Sequence, residues 1–114
     1  MDKYENLYCK MFVNFSQERE DLINLLLQIT NGTYQPLRTI VAKNMEIDIS
    51  YSKEFNEKAP PNEFLFYKYY LDIEPLFSVS ESDYIKDVSK LLSSLNEKNI
   101  VTVAACDFES DLSS

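Results

Sequence analysis

The 114-residue chain has no histidine, no tryptophan, one glycine, two cysteines and two arginines. Each shortage removes a class of function. Without histidine, the commonest general base and zinc ligand is missing. Cys9 and Cys106 are too few for a disulfide framework or a closed zinc site, and each sits inside an apolar run, where small buried thiols belong. A reducing, cytoplasmic setting follows, with a Cys9–Cys106 bridge across adjacent strands as the alternative. One glycine and four prolines leave no glycine-rich phosphate loop and no low-complexity segment. No apolar run approaches the ~20 residues that span a bilayer, so no membrane association is expected. Met1-Asp-Lys-Tyr-Glu5 lacks a basic stretch followed by an apolar one, and no signal peptide is expected.

Basic residues are also scarce: 11 against 19 acidic, a net charge of −8. Nucleic-acid binding depends on lysines and arginines that displace counterions, so the long-range field has the wrong sign for it. A basic protein partner fits that field. What the chain does have is apolar residues, at 45% against 26% charged, enough for one domain over residues 1–114 with its own core.

The richest stretch is Phe64-Leu-Phe-Tyr-Lys-Tyr-Tyr-Leu-Asp-Ile-Glu-Pro75. It is apolar on both parities, which predicts a central strand from Phe64 that Pro75 ends. Leu7 to Phe15 alternates as a first strand. Ser16 is expected to cap a helix carrying Leu22, Leu25, Leu26 and Ile29, and Gly32 to stop it in the left-handed region. Residues 33–39 connect to an edge strand over Ile40–Tyr51, followed by a charged loop over 52–63. Ser80-Glu-Ser-Asp83 resembles a capping box ahead of a second helix that runs to about Glu97. Ile100–Phe108 is the last strand. The order βαββαβ predicts an α+β fold, a ferredoxin-like sandwich with two helices on one face of a four-stranded antiparallel sheet.

Such a fold leaves one sheet face uncovered. Parity places Tyr8, Lys10, Phe12, Phe66, Lys68 and Tyr70 there, rimmed by Glu46, Asp48, Asp72 and Glu74. The tail adds Asp107, Glu109 and Asp111. These acids are expected at the opposite edge from Asp72 and Glu74, and so need not share a site with them. An uncovered aromatic cluster edged by acids is a candidate partner-binding surface, for which we take Phe12, Glu46, Asp48, Phe66, Tyr70, Asp72, Glu74, Asp107, Glu109 and Asp111. The alternatives are that loop 52–63 or the tail folds over it, or that it mediates a homodimer. RNA-recognition modules also place aromatics on central strands, but they need glycine and basic residues that Tyr67-Lys68-Tyr69-Tyr70 lacks. No catalytic residues, metal ligands or cofactor site emerge.

The stretch Phe64–Pro75, Val103-Ala-Ala-Cys-Asp-Phe-Glu109 and the helix start at Ser16 resemble small acidic immunity proteins of bacterial polymorphic or contact-dependent growth inhibition toxin systems. The resemblance implies a non-enzymatic, cytoplasmic protein that binds and neutralises a cognate toxin domain, often a nuclease. Such a domain must be basic where it meets phosphate. The resemblance carries no set of contact residues with it. The competing reading is a homodimeric small-molecule-sensing or regulatory domain on the same fold.

Overall fold

A computed structural model describes residues 3–36 and 39–112. It is α+β, with two helices and a six-stranded antiparallel sheet. The strands are β1 (Cys9–Val13), β2 (Thr33–Gln35), β3 (Thr39–Val41), β4 (Met45–Tyr51), β5 (Tyr69–Pro75) and β6 (Thr102–Cys106). Helix α1 spans Arg19–Thr30 and α2 spans Glu81–Glu97. The sheet order is β2-β3-β4-β5-β1-β6, so the heavily apolar β1 and β5 are adjacent and internal.

Strand parity sorts the two faces as the alternation predicts. Cys9, Met11, Val13, Met45, Ile47, Ile49, Tyr69, Leu71 and Ile73 point to one side and are buried. They form a single core with Leu22, Ile23 and Leu26 of α1 and Tyr84, Val88, Leu91, Leu92 and Leu95 of α2. The α2 set repeats at helical spacing, which presents one apolar stripe to the sheet. Ser80 caps α2 as expected, accepting from the Asp83 N–H at 3.2 Å. At the other end Ile100 N–H bonds Leu95 O and Asn99 N–H bonds Asn96 O, with Asn99 at φ 63°. That is a Schellman stop, with asparagine in the left-handed position usually taken by glycine.

Several expected boundaries move. The sheet has six strands, because residues 33–41 are not a connection: β2 and β3 form a hairpin whose register pairs Thr33 with Val41 and Gln35 with Thr39. β3 then pairs with β4, so β4 is internal and β2 and β6 are the edges. The central strand begins at Tyr69. Phe64–Phe66 is a 3-10 turn, and Leu65 is 55% exposed. Ser16 is not the cap of α1; Glu18 holds that position without a side-chain bond. The Ser16 and Gln17 carbonyls instead accept from Lys68 Nζ, at 3.5 and 3.2 Å. The last strand is shorter than Ile100–Phe108, and its Thr102 N–H and carbonyl are held by the Asn96 side-chain amide, at 2.9 and 3.4 Å.

Gly32 is not the left-handed stop of α1. Asn31 takes that conformation at φ 55°, and its N–H closes on Leu27 O at 2.9 Å. Glycine is needed at 32 for a different reason. A Cβ there would lie 2.9 Å from both Ile40 Cγ2 and Val41 O, because the hairpin packs directly on the helix exit. Gly32→Ala ordinarily gains stability by stiffening the unfolded chain. Here the carbonyl cannot yield, and we expect a loss of about 1–3 kcal/mol in urea denaturation.

Candidate functional site

The sheet face away from the helices is organised in rows across the strands. The first row sets Glu46 on β4 opposite Glu74 on β5. The second runs Thr39, Asp48, Asp72, Lys10 and Ala105 across β3, β4, β5, β1 and β6. The third runs Ser50, Tyr70, Phe12 and Val103. Four carboxylates therefore stand in two directly opposed pairs of like charge. The Ser52 N–H to Lys68 O bond of 2.8 Å fixes which pairs along β4 and β5 exchange hydrogen bonds. By that parity both acidic pairs belong to the hydrogen-bonded set, with Cα atoms about 5.5 Å apart. Like charges facing each other across strands destabilise a sheet, by up to about 1 kcal/mol per pair.

The fold relieves one pair only. Asp72 accepts the Tyr8 hydroxyl and Asp48 the Thr39 hydroxyl. Burial, then the Asp72 contact, push the Tyr8 phenol well above its ordinary range, so it remains a donor. Glu46 and Glu74 are exposed, and neither has a hydrogen-bonding or ion-pair partner among the described residues.

Beside the acids the same face turns aromatic. Lys10 Nζ lies 4.3 Å from the Tyr70 ring centroid and 5.2 Å from that of Phe12, a cation–π bridge between β1 and β5. The Phe12 ring meets Phe64 at 5.1 Å, so the Phe64–Phe66 turn stands as a wall beside the sheet. Between them runs an open groove of about 570 Å³ lined by Lys10, Phe12, Tyr51, Lys53, Phe66 and Tyr70. Phe66 is 37% exposed and Tyr51 is 55% exposed. Tyr51 has core parity but lies at the end of β4, edge-on to Tyr69 and Phe55. Phe12, Phe66 and Tyr70 thus lie outside the core that the helices cover, with loop 52–68 flanking them.

The tail acids are placed differently from the expectation. Cys106 pairs with Cys9, and Cys9 pairs with Ile73, so the end of β6 lies at the same end of the sheet as Glu74. β6 is antiparallel to β1 alone and therefore runs parallel to β5, which reverses the expected placement. Phe108 is fully buried against Tyr84 and Tyr4, and turns the chain toward the helix side. Asp111, in the 3-10 turn Glu109–Asp111, is already engaged. It accepts the Tyr4 hydroxyl at 2.6 Å and pairs with Lys3 at 3.5 Å. The Tyr4 hydroxyl, then Lys3, hold its carboxyl below the ordinary value. Lys3 and Tyr4 N–H groups in turn bond the Glu81 carboxylate at 2.7 and 2.8 Å, clipping the N-terminal segment to the start of α2. Asp107 and Glu109 remain exposed.

The candidate residues thus divide. Phe12, Glu46, Asp48, Phe66, Tyr70, Asp72 and Glu74 share the open face, Asp107 and Glu109 flank its acidic end, and Asp111 belongs to the clip. Sequence reasoning missed Tyr51, Lys53 and Leu65 as exposed neighbours of the groove, and missed the facing of the acids, which only the register reveals. Among the described residues no cluster of histidine, cysteine or carboxylate side chains is arranged to hold a metal ion, and no helix is long and apolar enough to cross a membrane. No family model, curated protein or solved structure matches the chain.

Proposed function

We propose that this chain is a non-enzymatic, cytoplasmic binding protein that neutralises a basic toxin domain, in the manner of the immunity proteins its sequence resembles. One observation carries the reading: two opposed carboxylate pairs stand on a sheet face that no helix covers, beside an exposed aromatic groove. Facing like charges cost the free protein stability, and partner cations that sit between them would remove that cost. The aromatic groove supplies the buried anchor that charge alone does not. The strand order β4-β5-β1-β6 with its two helices supports a finer reading of the fold, a ferredoxin-like core that the β2–β3 hairpin extends into a six-stranded sheet.

The test is co-expression with a candidate toxin domain, sought as a basic C-terminal domain encoded beside this gene. That domain alone should arrest growth, and this chain should restore it. Titration calorimetry on the purified pair should give a 1:1 complex that weakens at least about tenfold between low and high salt. Absence of both rescue and complex would remove the reading. A stable homodimer in sedimentation, with Phe66 and Tyr70 protected, would favour the regulatory-domain alternative.

A further inference from the structure

Cys9 in β1 and Cys106 at the end of β6 are direct register partners. The Asn14 N–H to Val101 O bond, 2.9 Å, continues the same ladder and identifies a hydrogen-bonded pair. Hydrogen-bonded and open pairs alternate along an antiparallel ladder, so Cys9–Cys106 falls in the open set. Open pairs bring their Cα atoms to about 4.5 Å and their side chains closest together. A disulfide needs about 4.4–6.8 Å between Cα atoms, so no backbone movement is required to bridge this pair.

Both are free thiols. Access differs: Cys9 has no exposed surface, while Cys106 is only partly covered. One sulfur therefore meets solvent, and the other waits behind it. Burial is the main reason both thiols titrate above their ordinary value, which keeps the reduced pair slow to react at neutral pH.

We propose that Cys9 and Cys106 are a latent redox pair that closes a reversible intrachain disulfide under hydrogen peroxide, with Cys106 attacking and Cys9 resolving. Cys106 releases its proton to solvent and its thiolate attacks a peroxide oxygen. The S–O bond forms, the O–O bond breaks, and the departing hydroxide takes up a proton to become water. Cys106 is then a sulfenic acid. The Cys9 sulfur attacks it, the S–S bond forms, the S–O bond breaks, and the hydroxyl leaves as a second water with the Cys9 proton. Two thiols have lost two electrons, and one peroxide has become two waters. The bridge fastens the edge strand β6 to β1 and, through Phe108, fixes the acidic turn that follows. This inference does not depend on the identity of the partner.

The whole chain is treated with hydrogen peroxide in mildly alkaline buffer, then alkylated in denaturant and weighed. A monomer about 2 Da lighter that takes up no alkylating agent, and recovers two reactive thiols with dithiothreitol, is expected. The bridged form should melt higher by roughly 10 °C, because the closed loop spans nearly the whole chain. Cys9→Ser should stop at a sulfenic acid that dimedone traps, and Cys106→Ser should leave Cys9 reacting roughly tenfold more slowly. Should either variant fail to fold, the mass and melting shift of the unaltered chain still decide. Over-oxidation to a species about 32 Da heavier, intermolecular dimers, or thiols that stay unreacted would each overturn the proposal.

Discussion

Tyr84→Ala is expected to cost about 3–5 kcal/mol, a large part of the ~5–15 kcal/mol that holds a domain of this size together. Tyr84 has no exposed surface and packs its ring edge against Phe108 at 5.8 Å. Its hydroxyl proton is shared between the Leu7 and Ile73 carbonyls, at 2.6 and 3.2 Å. One side chain thus joins α2, the entry to β1, the end of β5 and the C-terminal turn. Alanine removes the ring and takes the hydroxyl donor away from both carbonyls. Tyr84→Phe keeps the ring and loses only the hydroxyl, for about 1–2 kcal/mol. Urea midpoints at an unchanged slope measure both, and the difference between them isolates the packing. An alanine variant within 1 kcal/mol of the parent, on this ~1 kcal/mol scale of single contacts, would show that the tail and α2 are not joined here. Burial also raises the Tyr84 pKa from 10.0. The unfolded chain therefore ionises first as pH climbs, and this tyrosine's contribution is complete below that value and declines above it.

Much of this architecture was legible in the sequence, and its gaps have physical causes. Long amphipathic elements were plain: the stripe from Tyr84 to Leu95 and the alternation of Met45, Ile47 and Ile49 carry enough repeats to fix a face. The β2–β3 hairpin was not, because three-residue strands around Pro36 offer no period and a proline there signals a break. Phe64–Phe66 is a 3-10 turn where the pattern predicts strand, because a short apolar run fits a strand and a helical turn equally well. Asn31 took the left-handed position that Gly32 was expected to hold, since asparagine tolerates it and the glycine was required by crowding from Ile40. The candidate face was readable as a list of residues but not as an arrangement. Parity puts Glu46 and Glu74 on one side of the sheet, and only the register makes them face each other.

That facing makes Glu46→Lys the most informative change on the open face. Glu46 has no hydrogen bond to lose among the described residues, unlike Asp48 and Asp72, which hold the Thr39 and Tyr8 hydroxyls. A lysine there turns the Glu46–Glu74 opposition into an opposite-charge cross-strand pair. The free protein should therefore gain about 0.5–1 kcal/mol in urea denaturation. If the acidic rows receive a basic partner, its affinity should fall about 10–100-fold, roughly 1.4–2.8 kcal/mol. Most of the loss should appear in a slower, less salt-sensitive association rate. Glu74→Lys should do the same from the other side. The double variant restores like-charge opposition with the sign inverted, so it should lose the stability gain and bind worst of all. Because stability and affinity are expected to move in opposite directions, weaker binding by the single variants cannot be blamed on misfolding. Unchanged affinity in the presence of the stability gain would remove the acidic rows from the interface and leave the groove of Phe12, Phe66 and Tyr70 to account for recognition alone.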